Sequence, residues 1–116
     1  MLIYKTTDRL VFNILNKINY GYLEVTSFDG TILKFGDPKD NLIANLKIKK
    51  PNFTYNLIRG GSIGFAESYM RGEFETDNLS NLIELTARNI KVIYKFSGLL
   101  DFPFFNFVKN KIIKNT

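Results

Sequence analysis

The carboxylates Glu67, Glu73, Glu75 and Asp77 crowd one short stretch of the chain, where a general acid and its partner base or nucleophile could be drawn from them. Cleavage of a glycosidic bond would be the chemistry. Against it, the chain has no tryptophan to stack on a sugar, and three of the four fall where a turn and a helix start call for polar groups. The run Gly60-Gly61-Ser62-Ile63-Gly64 invites a phosphate-loop reading. It lacks the Lys-Ser or Lys-Thr ending of a nucleotide loop. It also follows a predicted helix, whereas a dinucleotide or S-adenosylmethionine loop follows a strand. Histidine and cysteine are both absent. That removes the usual base near neutral pH, serine-histidine triads, thiolate nucleophiles and the common zinc ligand sets. No catalytic residue, no metal ligand and no cofactor loop is expected in this chain.

The elements that must position these residues fit one domain. The chain has 116 residues, 45% apolar and 15% aromatic, enough to build a single core without disulfides. Formal net charge is +5, a sign that attracts phosphate groups of lipids or nucleic acids alike. No apolar run approaches the ~20 residues needed to cross a bilayer. The start, MLIYKTTDRLVF, lacks the order of a secretory signal. A cytoplasmic protein is expected, peripheral at the inner membrane face if it meets lipid at all.

Leu10, Val11, Ile14, Leu15 and Ile18 share one helical face, with Asp8 placed to cap its start. Tyr22 to Phe35 alternates as a hairpin about Asp29-Gly30. A three-residue loop with Gly30 left-handed pairs Val25 with Leu33, Leu23 with Phe35, and Glu24 with Lys34. After a polar turn containing Pro38 comes a third strand, with Ala44, Leu46 and Ile48 inward and Asn45, Lys47 and Lys49 outward. Pro51 opens a helix carrying Phe53, Leu57 and Ile58 that stops at Gly60-Gly61. Ser62 caps a second short helix through Met70, ended by Gly72. After an extended Glu73 to Thr76, Asp77 caps a longer helix whose face holds Leu79, Leu82, Ile83, Thr86, Ile90 and Ile93. Together these give an α+β fold over residues 1–98, an antiparallel sheet with helices on one face.

Residues 99–116 differ in character. Phe102, Phe104, Phe105 and Phe107 stand beside Lys109 and Lys111. A helix begun at Pro103 would set Phe104, Phe105, Val108 and Ile112 on one apolar face, suited equally to a membrane surface or to a partner domain.

One stretch resembles a known family. GGSIGFAESYMRGEFETDNLSNLIELTARN, Gly60 to Asn89, looks like the amino-terminal domain of the cyclopropane-fatty-acyl-phospholipid synthases. Gly64, Glu67, Tyr69, Met70, Gly72, Phe74, Asp77 and Leu79 hold the places of its pattern, with Asn78 as an extra residue before Leu79. Upstream, Gly21, Leu23, Gly30 and Gly36 resemble the family's preceding hairpin. The order of elements is also similar to the sterol carrier protein type 2 fold. Nothing resembles the family's methyltransferase domain, so S-adenosylmethionine is expected only in a separate catalytic domain.

The resemblance implies a non-catalytic accessory domain that engages a phospholipid or fatty-acyl chain for a methyltransferase domain or subunit. On that reading Glu67, Tyr69 and Met70, with the tail phenylalanines and lysines, are the candidate lipid or partner contacts. Gly30, Gly61, Gly64, Gly72 and Asp77 serve backbone geometry. The alternatives are a protein-interaction module, docking a methyltransferase subunit or forming a homo-oligomer, and, more remotely, a nucleic-acid-binding domain. No nucleic-acid motif accompanies the charge.

Overall fold

The Tyr22–Phe35 alternation folds as its pattern requires. In the computed structural model, which describes residues 2–97, β1 (Tyr22–Thr26) and β2 (Ile32–Gly36) pair antiparallel, with Val25 opposite Leu33, Leu23 opposite Phe35 and Glu24 opposite Lys34. The loop is the bulged one: Gly30 has φ +92°, and the Asp29 carboxylate accepts from the Thr31 N–H at 3.0 Å and from the Ser27 hydroxyl. These bonds, Ser27 first, hold the Asp29 carboxyl at about 2.

The third strand, β3 (Ile43–Ile48), faces as expected, with Ala44, Leu46 and Ile48 buried. The wholly antiparallel sheet that the pattern predicts is not formed. The sheet is mixed, in the order β2-β1-β3-β4, and β3 runs parallel to β1, with Leu23 opposite Ala44 and Val25 opposite Leu46. The cause is the connection from β2, which passes across the start of β1 to its far side. Asp37 N–H bonds Gly21 O at 3.1 Å, Gly21 N–H bonds an Asp40 carboxylate oxygen at 3.0 Å, and Tyr22 N–H bonds Leu42 O at 2.9 Å. The crossing is so close that a Cβ on Gly36 would lie 2.1 Å from Gly21 O, and Gly36 has φ +86°. Only glycine fits there.

The helices are α1 (Leu2–Leu15), α2 (Phe53–Met70), α3 (Leu79–Arg88) and α4 (Ile90–Ser97); the last strand is β4 (Phe74–Glu75), antiparallel to the end of β3. Helix α3 packs on β3 and β1, α2 on β4, and α1 touches both α2 and α4. Between helices and sheet lies a core that includes Leu23, Val25, Phe35, Leu46, Phe53, Phe74, Leu82 and Leu85. Its aromatic centre is Phe74, with the rings of Phe53, Phe65 and Tyr69 at 5.0, 4.9 and 5.6 Å.

Four further expectations are corrected. Asp8 lies within α1, not at its start, and accepts a bond from the Thr54 hydroxyl, which also meets Thr7 at 2.8 Å. Pro51 sits in the turn before α2, which begins at Phe53. The cap of α3 is Asn78, whose side-chain oxygen accepts from Asn81 N–H at 3.0 Å. Asp77 instead pairs with Asn45, accepting from its side-chain amide at 2.8 Å and donating its own N–H to Asn45 Oδ1 at 2.8 Å. The long helix expected from Asp77 to Ile93 divides at Asn89, which is buried and caps the end of α3.

Because β4 is short, it pairs only with Lys47 and Ile48. Side chains cover the rest of that edge: Thr76 Oγ1 donates to Asn45 O at 2.6 Å, and Asn81 Nδ2 donates to Ile43 O at 3.0 Å. The tail candidates Phe102, Phe104, Phe105, Phe107, Lys109 and Lys111 lie outside the described residues.

Candidate functional site

Helix α2 is two helices in one. At Gly61 the backbone leaves the helical region (φ +57°, ψ −132°), so the predicted stop at Gly60-Gly61 and restart at Ser62 describe a real break. Ser62 does not cap the second half, however; its hydroxyl is buried and has no hydrogen-bond partner among the described residues. Beyond the break the chain folds back on itself. A Cβ on Gly64 would stand 2.5 Å from Asn56 O, a contact that a straight helix never makes between residues so far apart. Gly64 is therefore required by close approach. Gly72, with φ +71°, ends the helix as expected.

The fold-back brings the charged residues Glu73 and Arg71 together with Asn56. Glu73, 6% exposed, lies just past the end of α2. Its carboxylate accepts from Asn56 Nδ2 at 3.1 and 3.2 Å and from Arg71 Nε at 2.9 Å. Burial pushes its carboxyl up. The bonds from Arg71 and Asn56, with the Arg71 charge, outweigh burial and hold it at about 2. The Glu73 bond in turn raises the Arg71 guanidinium above its ordinary value. Glu73 thus joins the first half of α2 to the turn after its second half.

In the bend lies a cleft of about 230 Å³ bordered by Asn56, Arg59, Gly60, Gly64, Glu67 and Arg71. Arg59 rests over the Tyr55 ring, 5.7 Å from its centre. Of the candidate contact residues, Glu67 borders this cleft. Met70 is 77% exposed and shares an outer helical face with Ile63, 63% exposed and seven positions earlier. Tyr69 is half-exposed and packs on Phe74, so it belongs partly to the core.

The four crowded carboxylates are sorted to different places. Glu67 borders the cleft, Glu73 is buried, Glu75 faces Lys49 at 3.7 Å, and Asp77 holds Asn45. Glu75 and Asp77 do share, with Glu24, a second groove of about 120 Å³ at the sheet. Among the described residues no three acidic side chains are grouped so as to hold a metal ion. Among them, too, no helix is long and apolar enough to cross a membrane.

Sequence reasoning missed Asn56, Arg59, Ile63 and Arg71. The available signal was the Arg-Gly-Glu turn at Arg71 to Glu73, where a left-handed glycine lets flanking opposite charges meet. Comparison of the chain with models of protein families, with curated proteins and with solved structures found no match to any of them. The fold and the cleft define an α+β domain with a bent helix and a charged notch.

Proposed function

We propose that this chain is a non-catalytic lipid-contact module, an accessory domain or subunit of a methyltransferase system similar to the cyclopropane-fatty-acyl-phospholipid synthases. The observation that carries the lipid part is on α2: Ile63 and Met70 stand exposed on one helical face, next to the arginine-walled cleft. An apolar side chain gains roughly 1.5–3 kcal/mol when fully buried. A basic residue near an anionic leaflet adds about 1 kcal/mol. These sums describe weak, reversible, salt-sensitive association, not anchoring. Both clefts are open, and the one in the bend of α2 is more polar than apolar, which favours contact at a lipid surface over enclosure of an acyl chain.

The methyltransferase part rests on the resemblance of Gly60 to Asn89 to that family. The experiment is co-sedimentation of the chain with phosphatidylglycerol vesicles, neutral vesicles and no vesicles, at low and high salt. Salt-sensitive sedimentation with the anionic vesicles is expected. Equal amounts in the pellet with and without vesicles would defeat the reading. Co-purification with a methyltransferase regardless of lipid would favour a protein-docking module instead.

A further inference from the structure

We propose that the cleft in the bend of α2 is a binding site for a phosphate ester, with Arg59 and Arg71 as its cationic walls. The proposal deepens the lipid-contact reading and rests on it for the source of the phosphate.

Arg71 is held ready. Its Nε is bound to the buried Glu73 carboxylate at 2.9 Å, and that carboxylate is itself fixed by Asn56. Among the described residues the remaining guanidinium nitrogens of Arg71 make no hydrogen bond, so their donors are left for a ligand. A guanidinium tied on one side loses less freedom when the other side binds, which makes each new bond more effective. Arg59 supplies a second cationic group to the notch, whose one acidic lining residue among the described residues is Glu67. Among the described residues it has no carboxylate within ion-pair distance, and its one recorded contact is with the Tyr55 ring. Two guanidinium groups bordering one concave notch match the several acceptor oxygens of a phosphate ester.

The floor of the notch is bare. Gly60 and Gly64 border it, and a Cβ on Gly60 would meet nothing within 4 Å. The volume of about 230 Å³ exceeds several waters' share of the liquid, roughly 30 Å³ each, and so admits a phosphate group. Glu67 borders the same notch and carries the wrong charge for an anion. It therefore opposes binding, which fixes the sign of its substitution.

The test titrates the full chain with sn-glycerol 3-phosphate and with inorganic phosphate, followed by amide NMR shifts, and repeats the vesicle sedimentation on the same proteins. Arg59 is exposed, so Arg59→Gln should leave the fold intact. Expected shifts centre on Gly60, Gly64 and Arg71. Arg59→Gln should weaken ester binding about tenfold, and Glu67→Gln should strengthen it several-fold, by roughly the loss of one repulsive charge. Lys39→Gln, the same charge change in the exposed turn before β3, should alter it less than about twofold, the screened effect of a distant charge. Equal weakening by Lys39→Gln and Arg59→Gln, or shifts spread evenly over the surface, would overturn the site. Ester binding at the notch without vesicle binding would leave the site standing and remove the lipid reading. Vesicle binding untouched by Arg59→Gln, with no ester binding, would do the reverse.

Discussion

Asn89 grips the backbone of Tyr20 from both sides. Its Oδ1 accepts the Tyr20 N–H at 3.1 Å, and its Nδ2 donates to Tyr20 O at 2.9 Å. The same amide accepts from Asn19 N–H at 2.7 Å and donates to Leu85 O at 2.8 Å, and the residue is 1% exposed. A single side chain therefore pins the connection between α1 and β1 to the junction of α3 and α4. Asn89→Ala leaves these backbone groups without their partner at about 1–3 kcal/mol for each that stays buried and unpaired. The expected loss is about 3 kcal/mol, a drop in Tm of roughly 10–20 °C by circular dichroism. Asn41→Ala, at an exposed turn position, should melt within about 3 °C of the parent protein. A melt of Asn89→Ala as high as that of Asn41→Ala would show that the connection is held by other means.

Two glycines a single turn apart should behave in opposite ways. Gly64→Ala drives a methyl group to 2.5 Å from Asn56 O, so the halves of α2 must part, at about 1–3 kcal/mol. Gly60→Ala meets open space within the helix and should be neutral or stabilise by about 0.4–1 kcal/mol. Urea midpoints of the two variants decide it; similar midpoints would mean that the bend is softer than its geometry implies.

The Glu73 carboxyl makes a pH-dependent contribution whose sign follows from its lowered value. The unfolded chain binds its proton near 4.5 and the folded chain near 2. Between those values the unfolded state holds more protons, so this part of the stability is complete above about pH 4.5 and is lost as pH falls towards 2. Urea unfolding of the parent protein and of Glu73→Gln from pH 7 to pH 2 should show a gap that is constant above pH 5 and closes in that window. Using the difference cancels Asp29 and Asp40, which are lowered in both proteins. A gap independent of pH would mean that the carboxylate's charge contributes nothing.

If the face of α2 meets lipid, Ile63→Ser with Met70→Ser should lower vesicle partitioning by at least about tenfold, given the apolar area withdrawn. Phe104→Ser with Phe105→Ser tests the tail in the same assay. A loss in the tail variant alone would move the contact to residues 99–116. A loss in neither would end the membrane-surface account.

How much of this was legible depends on whether the constraint is local. The hairpin register was readable because Asp29-Gly30 and the alternation of Leu23, Val25, Leu33 and Phe35 admit one segregation of faces. The break in α2 was readable from Gly60-Gly61. The neighbour of β3 was not, because a period of two tells which side chains point inward and nothing about which strand lies alongside. That choice was made by the crossing at Gly21, through Asp40 and Leu42. Asn78 took the cap from Asp77 because Asp77 found a partner in Asn45, distant in sequence. The cleft was hidden for a similar reason: Arg59 and Arg71 become neighbours only once Gly61 turns the chain. Asn89 sat unnoticed among apolar helix positions, since a pattern of faces does not say what a buried amide will hold.

Thr76 and Asn81 bond with their side chains the Asn45 and Ile43 carbonyls of β3 that the two-residue β4 leaves unpaired. Carbonyls capped in this way offer no acceptors to the strand of a second copy, so this stretch of β3 resists edge-to-edge addition. Loss of the Asn81 amide would reopen the Ile43 acceptor to such a strand.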